Sequence, residues 1–122
     1  MDRQREEFSS FGSRIDLQGW GSGVVTTGYG DLYMAPDRPV DPGLWYTEGF
    51  SGTSSAAAIV AGAAANLQGI SLAQSGAPIA PLQMRTLLVL TGSPQLGNTA
   101  EPIGPRPNLR QAAAQIPSGH PW

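Results

Sequence analysis

The stretch that most limits how this chain can fold runs from Ser51 to Met84, because it contains no ionisable side chain. Residues 54–68 within it are mainly alanine, with some glycine, valine, isoleucine and leucine. A helix without a charged face has no side suited to water, so the pattern predicts a buried helix from Ser54 to about Gln68. Gly69 is its predicted stop. The small side chains also predict that neighbouring backbone comes close to this helix.

A glycine turn delivers a serine to the start of this helix, in the order Gly52-Thr53-Ser54. Unpaired N–H groups and the positive end of the helix dipole favour negative charge at such a position. An oxyanion there could accept from the N–H of the serine, and Gly52 would let a substrate backbone pass close by. Serine and threonine are also the commonest helix N-caps. These residues alone therefore leave two interpretations open, a nucleophile at Ser54 or a structural cap.

Shorter elements are predicted on both sides of this helix. Val24–Thr27 is β-branched and is followed by a glycine-containing turn, which is typical of a strand. Residues 31–43 contain three prolines and predict a loop. The other predicted elements are strands at residues 14–17 and 45–50, a helix from 82 to about 91 with Met84, Leu87 and Leu88 on one face, and a short helix from 109 to about 115.

The composition excludes several classes of function. The 122 residues carry a formal net charge of −2 with no lysine and no basic run, so nucleic acid is not an expected partner. The absence of cysteine excludes disulfides, a thiol nucleophile and thiolate metal sites, and the absence of lysine excludes a Ser–Lys dyad. The charged N-terminus does not resemble a signal peptide. The apolar run at residues 56–65 is shorter than the roughly 20 residues that cross a bilayer, so no membrane contact is expected.

The segment around Ser54 resembles the nucleophile motif of the subtilase family, written Gly-Thr-Ser-x-Ala-x-Pro-x-Val-Ala-Gly. Here the motif reads Gly52-Thr53-Ser54-Ser55-Ala56, followed by Val60-Ala61-Gly62. Further segments resemble the family in the same order, from about Phe8 to Gln115. They are Phe8-Ser9-Ser10-Phe11-Gly12 with Ile15-Asp16-Leu17, Trp20-Gly21 with Val24-Val25-Thr26-Thr27, Pro81-Leu82-Gln83-Met84-Arg85, and Gly104 with Asn108 and Ala112-Ala113.

The resemblance implies an α/β fold in which residues 1–116 are the C-terminal part of a subtilisin-like three-layer peptidase domain and residues 117–122 are a flexible tail. This part would contain the C-terminal strands, the buried nucleophile helix and the later helices. Ser54 would be the catalytic nucleophile of a serine endopeptidase, with Gly52 and Thr53 completing the turn beside it. The implied substrate is a polypeptide. Secretion is suggested by the family only.

The chain departs from the family pattern in two ways. The motif proline is Ala58 here, and because alanine is a good helix former the helix should survive. The larger departure is that the family's catalytic Asp and His, and its oxyanion-hole Asn, belong to upstream motifs that are not present in this sequence. His120, the only histidine, follows Ser54 in the wrong order and is interpreted as a solvated tail residue.

The aspartates outside the N-terminal segment are not assigned to a triad, because they lie in turns or strand ends where Asp commonly bonds its own backbone. They are Asp16, Asp31, Asp37 and Asp41. Calcium sites are common in the family, and Asp37 and Asp41 flank a loop. Two carboxylates without a recognisable set of further ligands are more typical of a solvated loop. No cofactor or metal site is therefore predicted, although the resemblance allows a structural calcium ion.

The predicted function is peptide-bond hydrolysis through an acyl-enzyme on Ser54, in a piece that lacks the catalytic Asp and His. Alone it is expected to be inactive, and its expected partner is the upstream half of the catalytic domain. A second interpretation is a truncated or degenerate non-catalytic chain that acts as an interaction or structural partner. Such a chain would expose an unpaired strand edge and an uncovered helix. A third, a structural protein with a chance match, requires several segments to agree in order by accident.

Overall fold

The computed structural model describes residues 3–33 and 41–117. Three helices and a two-stranded sheet make up its regular structure, with short 3-10 helices at Asp31–Tyr33 and Pro42–Leu44. The strands are β1 (Val24–Thr27) and β2 (Tyr46–Phe50), and the helices are α1 (Thr53–Ser75), α2 (Pro81–Thr91) and α3 (Leu109–Ala113). This content agrees with part of an α/β fold.

The core lies where the three helices meet. Its buried members are Leu67 from α1, Met84 and Leu88 from α2, and Ala112 and Ile116 from α3 and the turn after it. Leu67 has no exposed surface, because it is enclosed by both other helices. The predicted apolar face of α2 is confirmed, since Leu87 also packs on this core while the rest of the helix faces outward.

The first helix is longer than its predicted range, because Gly69 does not end it. α1 continues to Ser75 and is capped by Gly76, whose φ of 71° lies in the left-handed region and whose N–H donates to the Leu72 carbonyl. A glycine inside a helix costs only about 1 kcal/mol relative to alanine. Packing of the following turn, through Ile70 against the core, accounts for the continuation past Gly69.

The prediction that α1 is buried on all sides is wrong for this chain. Only one stripe of the helix is buried, made of Ser55, Ala63, Leu67 and Ser71. The reason is that core residues of α2 and α3 pack on one side of the helix, at Leu67, and no described element forms a layer on the other. Much of an uncharged helix therefore faces solvent, as expected of a domain that lacks a covering layer.

α1 is also long and apolar enough, by length and composition, to cross a membrane: it has 23 residues and no charged side chain. The apolar helix extends well beyond the run at residues 56–65, so the prediction that this segment is too short to cross a bilayer is wrong. A core helix of a water-soluble protein passes the same test, and a single such helix is weak evidence. The absence of membrane contact therefore stays a prediction.

The predicted strand at residues 14–17 is not formed. A strand needs a hydrogen-bonded neighbour along its length. Here the Ile15 N–H donates to the Gly12 carbonyl at 3.0 Å, which forms a local turn. The next bond to a distant segment runs from the Gln18 N–H to the Pro105 carbonyl at 3.1 Å. The segment is held by a loop on one side rather than by a sheet.

The two strands that do form pair with each other in antiparallel orientation, with Thr26 opposite Thr47 and Thr27 opposite Tyr46. The register shifts between Val24 and Thr26, which marks a bulge. The predicted strand at residues 24–27 is confirmed, and the one at 45–50 begins one residue later. The loop predicted at 31–43 carries a 3-10 turn at each end, and its residues 34–40 lie outside the described residues.

Candidate active site

The turn that enters α1 is formed by Gly52, with φ of 118° and ψ of 164°. This backbone conformation favours glycine. Gly52 occupies the N-cap position, and no side chain caps the helix. The structural-cap interpretation of Thr53 and Ser54 is therefore wrong, because both residues already lie inside the first turn.

Ser54 is exposed, in contrast to the buried Ser55 beside it. Its hydroxyl makes no hydrogen bond to any residue in 3–33 or 41–117. A Cβ at position 52 would lie 3.4 Å from the Ser54 Oγ, so the absence of a side chain at Gly52 keeps the hydroxyl uncrowded. The turn thus presents one free serine hydroxyl at the N-terminus of a long helix.

Two glycines in the segment before β1 hold this turn in place. The Gly52 N–H donates to the Gly21 carbonyl at 2.8 Å. Gly19 lies against the first turn of α1 so closely that a Cβ there would be 2.7 Å from the Ala56 carbonyl oxygen. Sequence reasoning did not assign a role to Gly19. The signal that points to it is a pair of glycines around Trp20, which is typical of close backbone approach.

A polar contact fixes the strand that leads into the turn. The buried Thr47 in β2 donates its hydroxyl to the Asp31 carboxylate at 2.9 Å. The Thr47 Oγ1 also accepts from the Gly49 N–H at 3.2 Å. The first bond joins β2 to the 3-10 turn before it, and the second shapes the bulge. Both hydrogen bonds therefore fix the backbone a few residues before Ser54.

The Ser54 hydroxyl has no hydrogen-bonded acid or base among the described residues, and the described aspartates make other contacts. Asp16 is bound to Arg85, Asp31 to Thr47, and Asp41 accepts from the Gly43 N–H at 2.8 Å. His120 and Asp37, and residues 118–122 of the predicted tail, lie outside the described residues. Among those described, no three His, Cys, Asp or Glu side chains cluster as metal ligands would. A structural calcium ion stays an untested prediction.

An open groove with a volume of about 920 Å³ begins beside Ser54, at Thr53. One side of α1 forms its floor, where the side chains are small and apolar. The N-terminal segment, residues 15–21 and the start of α2 form the walls. The floor residues are Ala56, Ala57, Val60, Ala61, Ala64 and Ala65. The uncovered side of α1 is thus continuous with the serine turn.

A bidentate ion pair lies at the edge of the groove. Arg85 donates from Nε to the Asp16 Oδ2 at 2.8 Å and from Nη2 to Oδ1 at 2.5 Å. The hydrogen bond from Arg85 holds the pKa of the Asp16 carboxyl below its ordinary value, and Coulombic attraction from the same guanidinium adds to the effect. Both side chains are substantially exposed, so salt and water screen the pair.

Replacing Arg85 with glutamine should raise the pKa of Asp16 towards its ordinary value, because the bidentate donor is lost. A carboxyl with a lowered native pKa stabilises the fold above its unfolded pKa of about 3.9, and the benefit disappears as pH falls through the native value. The stability difference between the parent and Arg85→Gln should therefore shrink below about pH 4. NMR titration of the Asp16 carboxyl carbon, with denaturant melts at pH 7 and pH 3, measures both. An unchanged Asp16 titration in the variant would contradict the assignment.

Comparison with known families identifies the chain. The model of the subtilase family of peptidases matches residues 1–112, which is most of the sequence and includes the serine turn, β1, β2, α1 and α2. No individual curated protein gives a significant match. The match covers the segments in which the resemblance was found, so chance agreement no longer accounts for them. The chain belongs to the subtilase family of subtilisin-like serine peptidases.

Proposed function

We propose that this chain is the nucleophile-bearing part of a serine endopeptidase, in which Ser54 attacks the carbonyl carbon of a peptide bond. The observation that carries the proposal is the free, exposed Ser54 hydroxyl at an uncapped helix N-terminus. A serine that served only as a cap would occupy the position of Gly52, whereas Ser54 lies inside the first turn with its hydroxyl unbonded among the described residues. Attack would form a tetrahedral intermediate, then an acyl-enzyme on Ser54 Oγ, with release of the amine; water would then hydrolyse the ester.

The backbone of the same turn supplies part of the electrostatic stabilisation. The Ser54 N–H donates to no oxygen of residues 3–33 or 41–117, so it is available to an oxyanion that forms next to Oγ. The positive end of the α1 dipole acts in the same direction. Gly52, which has no side chain, leaves room for the substrate backbone. A polypeptide is therefore the proposed substrate.

The remaining groups of the reaction would come from the upstream half of the catalytic domain. A histidine must take the Ser54 proton, an aspartate must orient that histidine, and an asparagine must complete the oxyanion hole. The groove beside Thr53 supports this partner, since it leaves uncovered the apolar face of α1 that adjoins the serine. A layer seated there would bury the face, complete a three-layer fold and bring its own groups next to Ser54.

The isolated 122-residue chain should show no peptidase activity, because a serine hydroxyl without a base is a very weak nucleophile near neutral pH. The measurement is labelling of the purified chain with a fluorophosphonate probe, which modifies activated serines. Labelling should equal the background of the Ser54→Ala variant. Robust modification that disappears in Ser54→Ala would overturn the expectation, since the chain would then contain its own base.

A second candidate is a non-catalytic subtilase-derived chain that binds another protein. The exposed apolar side of α1 favours it, because uncovered apolar surface promotes association. The two candidates differ in what they require of Ser54. The peptidase needs its hydroxyl, whereas an association surface along Ala57, Ala61 and Ala65 does not. Sedimentation of the parent and Ser54→Ala at several concentrations separates association from chemistry.

A further inference from the structure

A second surface, outside the serine turn, carries exposed aromatic rings around the β1–β2 hairpin. It is defined here as the hairpin patch: Tyr29, Tyr33, Trp45 and Tyr46, with the carboxylates of Asp31 and Glu48. The four aromatic side chains are 82%, 51%, 50% and 38% exposed, respectively. All three tyrosines of the chain lie here. Large aromatic side chains usually lose most of their exposed surface in a fold. Four exposed aromatic rings in one region therefore mark a surface suited to contacts.

Three of the four rings, those of Tyr33, Trp45 and Tyr46, are held in place by contacts with the rest of the chain. Tyr33 and Tyr46 meet edge to face, with ring centroids 5.9 Å apart and planes at 79°. The bond from Thr47 to Asp31 ties the 3-10 turn to β2. The Trp45 ring packs on the backbone of Gly30, where an added Cβ would be 3.1 Å from the indole Cδ1. Binding therefore needs little ordering of these three rings, which favours affinity.

The part of the chain that contains the hairpin patch has a negative net charge. Residues 22–84 contain four carboxylates and one guanidinium, a net charge of −3, although the whole chain is only −2. Tyr46 and Glu48 are both exposed and alternate with the buried Thr47, so they share the outward face of β2. Glu48 thus lies on the same strand face as the Tyr46 ring, and carboxylates and ring faces both attract cations.

Two other aromatic rings of this chain show which group suits such a surface. The Arg5 guanidinium lies over Phe11, 5.1 Å from the ring centroid, and Arg106 lies over Trp20 at 4.5 Å. No guanidinium of residues 3–33 or 41–117 lies over a ring of the hairpin patch. Within residues 3–33 and 41–117, arginine therefore stacks on other rings of the chain and on none of these four.

We propose that the hairpin patch binds an arginine- or lysine-rich polypeptide segment. Guanidinium or ammonium groups would stack on the tyrosine and tryptophan faces and pair with Asp31 and Glu48, while the peptide backbone follows the exposed hairpin. The inference does not depend on the role of Ser54. β2 leads from Tyr46 towards Gly52 and Ser54, so an extended segment bound along it would run towards the serine turn. If Ser54 is the nucleophile, the patch favours basic polypeptides as substrates.

The test uses the intact chain and a fluorescein-labelled peptide of alternating arginine and glycine, measured by fluorescence anisotropy at low salt. The matched probe replaces each arginine with citrulline, which keeps the shape and removes the charge. We expect the arginine peptide to bind at least tenfold more tightly than the citrulline peptide, and its affinity to fall as salt is raised. Equal affinities for the two peptides, or no binding of the arginine peptide at millimolar concentration, would overturn the proposal.

Two variants locate the binding on the patch. Glu48→Gln removes one charge and Tyr29→Ser removes the most exposed ring, and both positions are exposed, so folding should persist. Each should weaken the arginine peptide about three- to tenfold. The matched controls are Glu7→Gln and Leu90→Ser, an exposed carboxylate and an exposed apolar side chain outside the patch. The proposal fails if the control variants weaken binding as much as the patch variants, with circular dichroism showing all four folded.

Discussion

In a chimera that joins this chain to the upstream half of an active subtilase, Ser54→Ala should lower kcat by about 10⁶-fold. Removal of the nucleophilic serine from subtilisin, a member of the same family, causes a loss of this size. Under the proposed function, the upstream half would supply the histidine, aspartate and asparagine of the reaction. The effect is large because without Oγ there is no acyl-enzyme, and only binding and the oxyanion hole remain.

Ser51→Ala is the matched control for this experiment. Ser51 is also an exposed serine, three residues earlier, and its hydroxyl donates to the Gly49 carbonyl at 3.3 Å. Losing that bond should change kcat by less than about tenfold, since the hydroxyl is not presented at the helix N-terminus. Fluorophosphonate should label the parent chimera on Ser54 and leave Ser54→Ala unlabelled. Labelling that persists in Ser54→Ala would place the nucleophile elsewhere.

The serine turn can be anticipated from sequence because its chemistry is local. Gly52 is needed for a backbone conformation that favours glycine, and Ser54 follows it at the start of an uncharged helix. Val24–Thr27 is likewise predicted by its β-branched run, and α2 by its apolar face. In each case the decisive information lies within a few residues of the element.

The parts that sequence did not predict depend on distant neighbours. Residues 14–17 alternate like a strand but have no sheet partner among the described residues, so they stay irregular. α1 reads as a buried helix, and its burial depends on a layer that the described residues do not provide. Gly19 contacts Ala56 across 37 residues of sequence, and the glycines on either side of Trp20 indicate a close backbone approach without indicating its partner. The composition of a segment indicates which element it can form, whereas the burial of that element depends on what packs beside it.

Gly104→Ala should destabilise the fold by about 2 to 5 kcal/mol, enough to unfold a marginal domain. Gly104 has a φ of 73°, and a side chain there would overlap the backbone of Asp16 and lie 2.7 Å from the Leu17 nitrogen. The left-handed conformation alone costs a non-glycine residue about 1 to 2 kcal/mol. The collision adds about 1 to 3 kcal/mol, because rigid backbone rather than a flexible side chain must move.

Gly76→Ala separates the two causes. Gly76 has nearly the same φ, 71°, but an added Cβ would meet nothing within 4 Å. Its variant should lose only the conformational part, about 1 to 2 kcal/mol. Urea melts of both variants, compared at equal m-values, measure the difference. Equal losses would show that residues 16–17 give way to the new side chain. The Gln18 amide donates to the Gly104 carbonyl at 2.6 Å and joins the same two segments. A larger loss at Gly104 would show that the close approach of Gly104 to residues 16–17 holds one wall of the groove beside the serine turn.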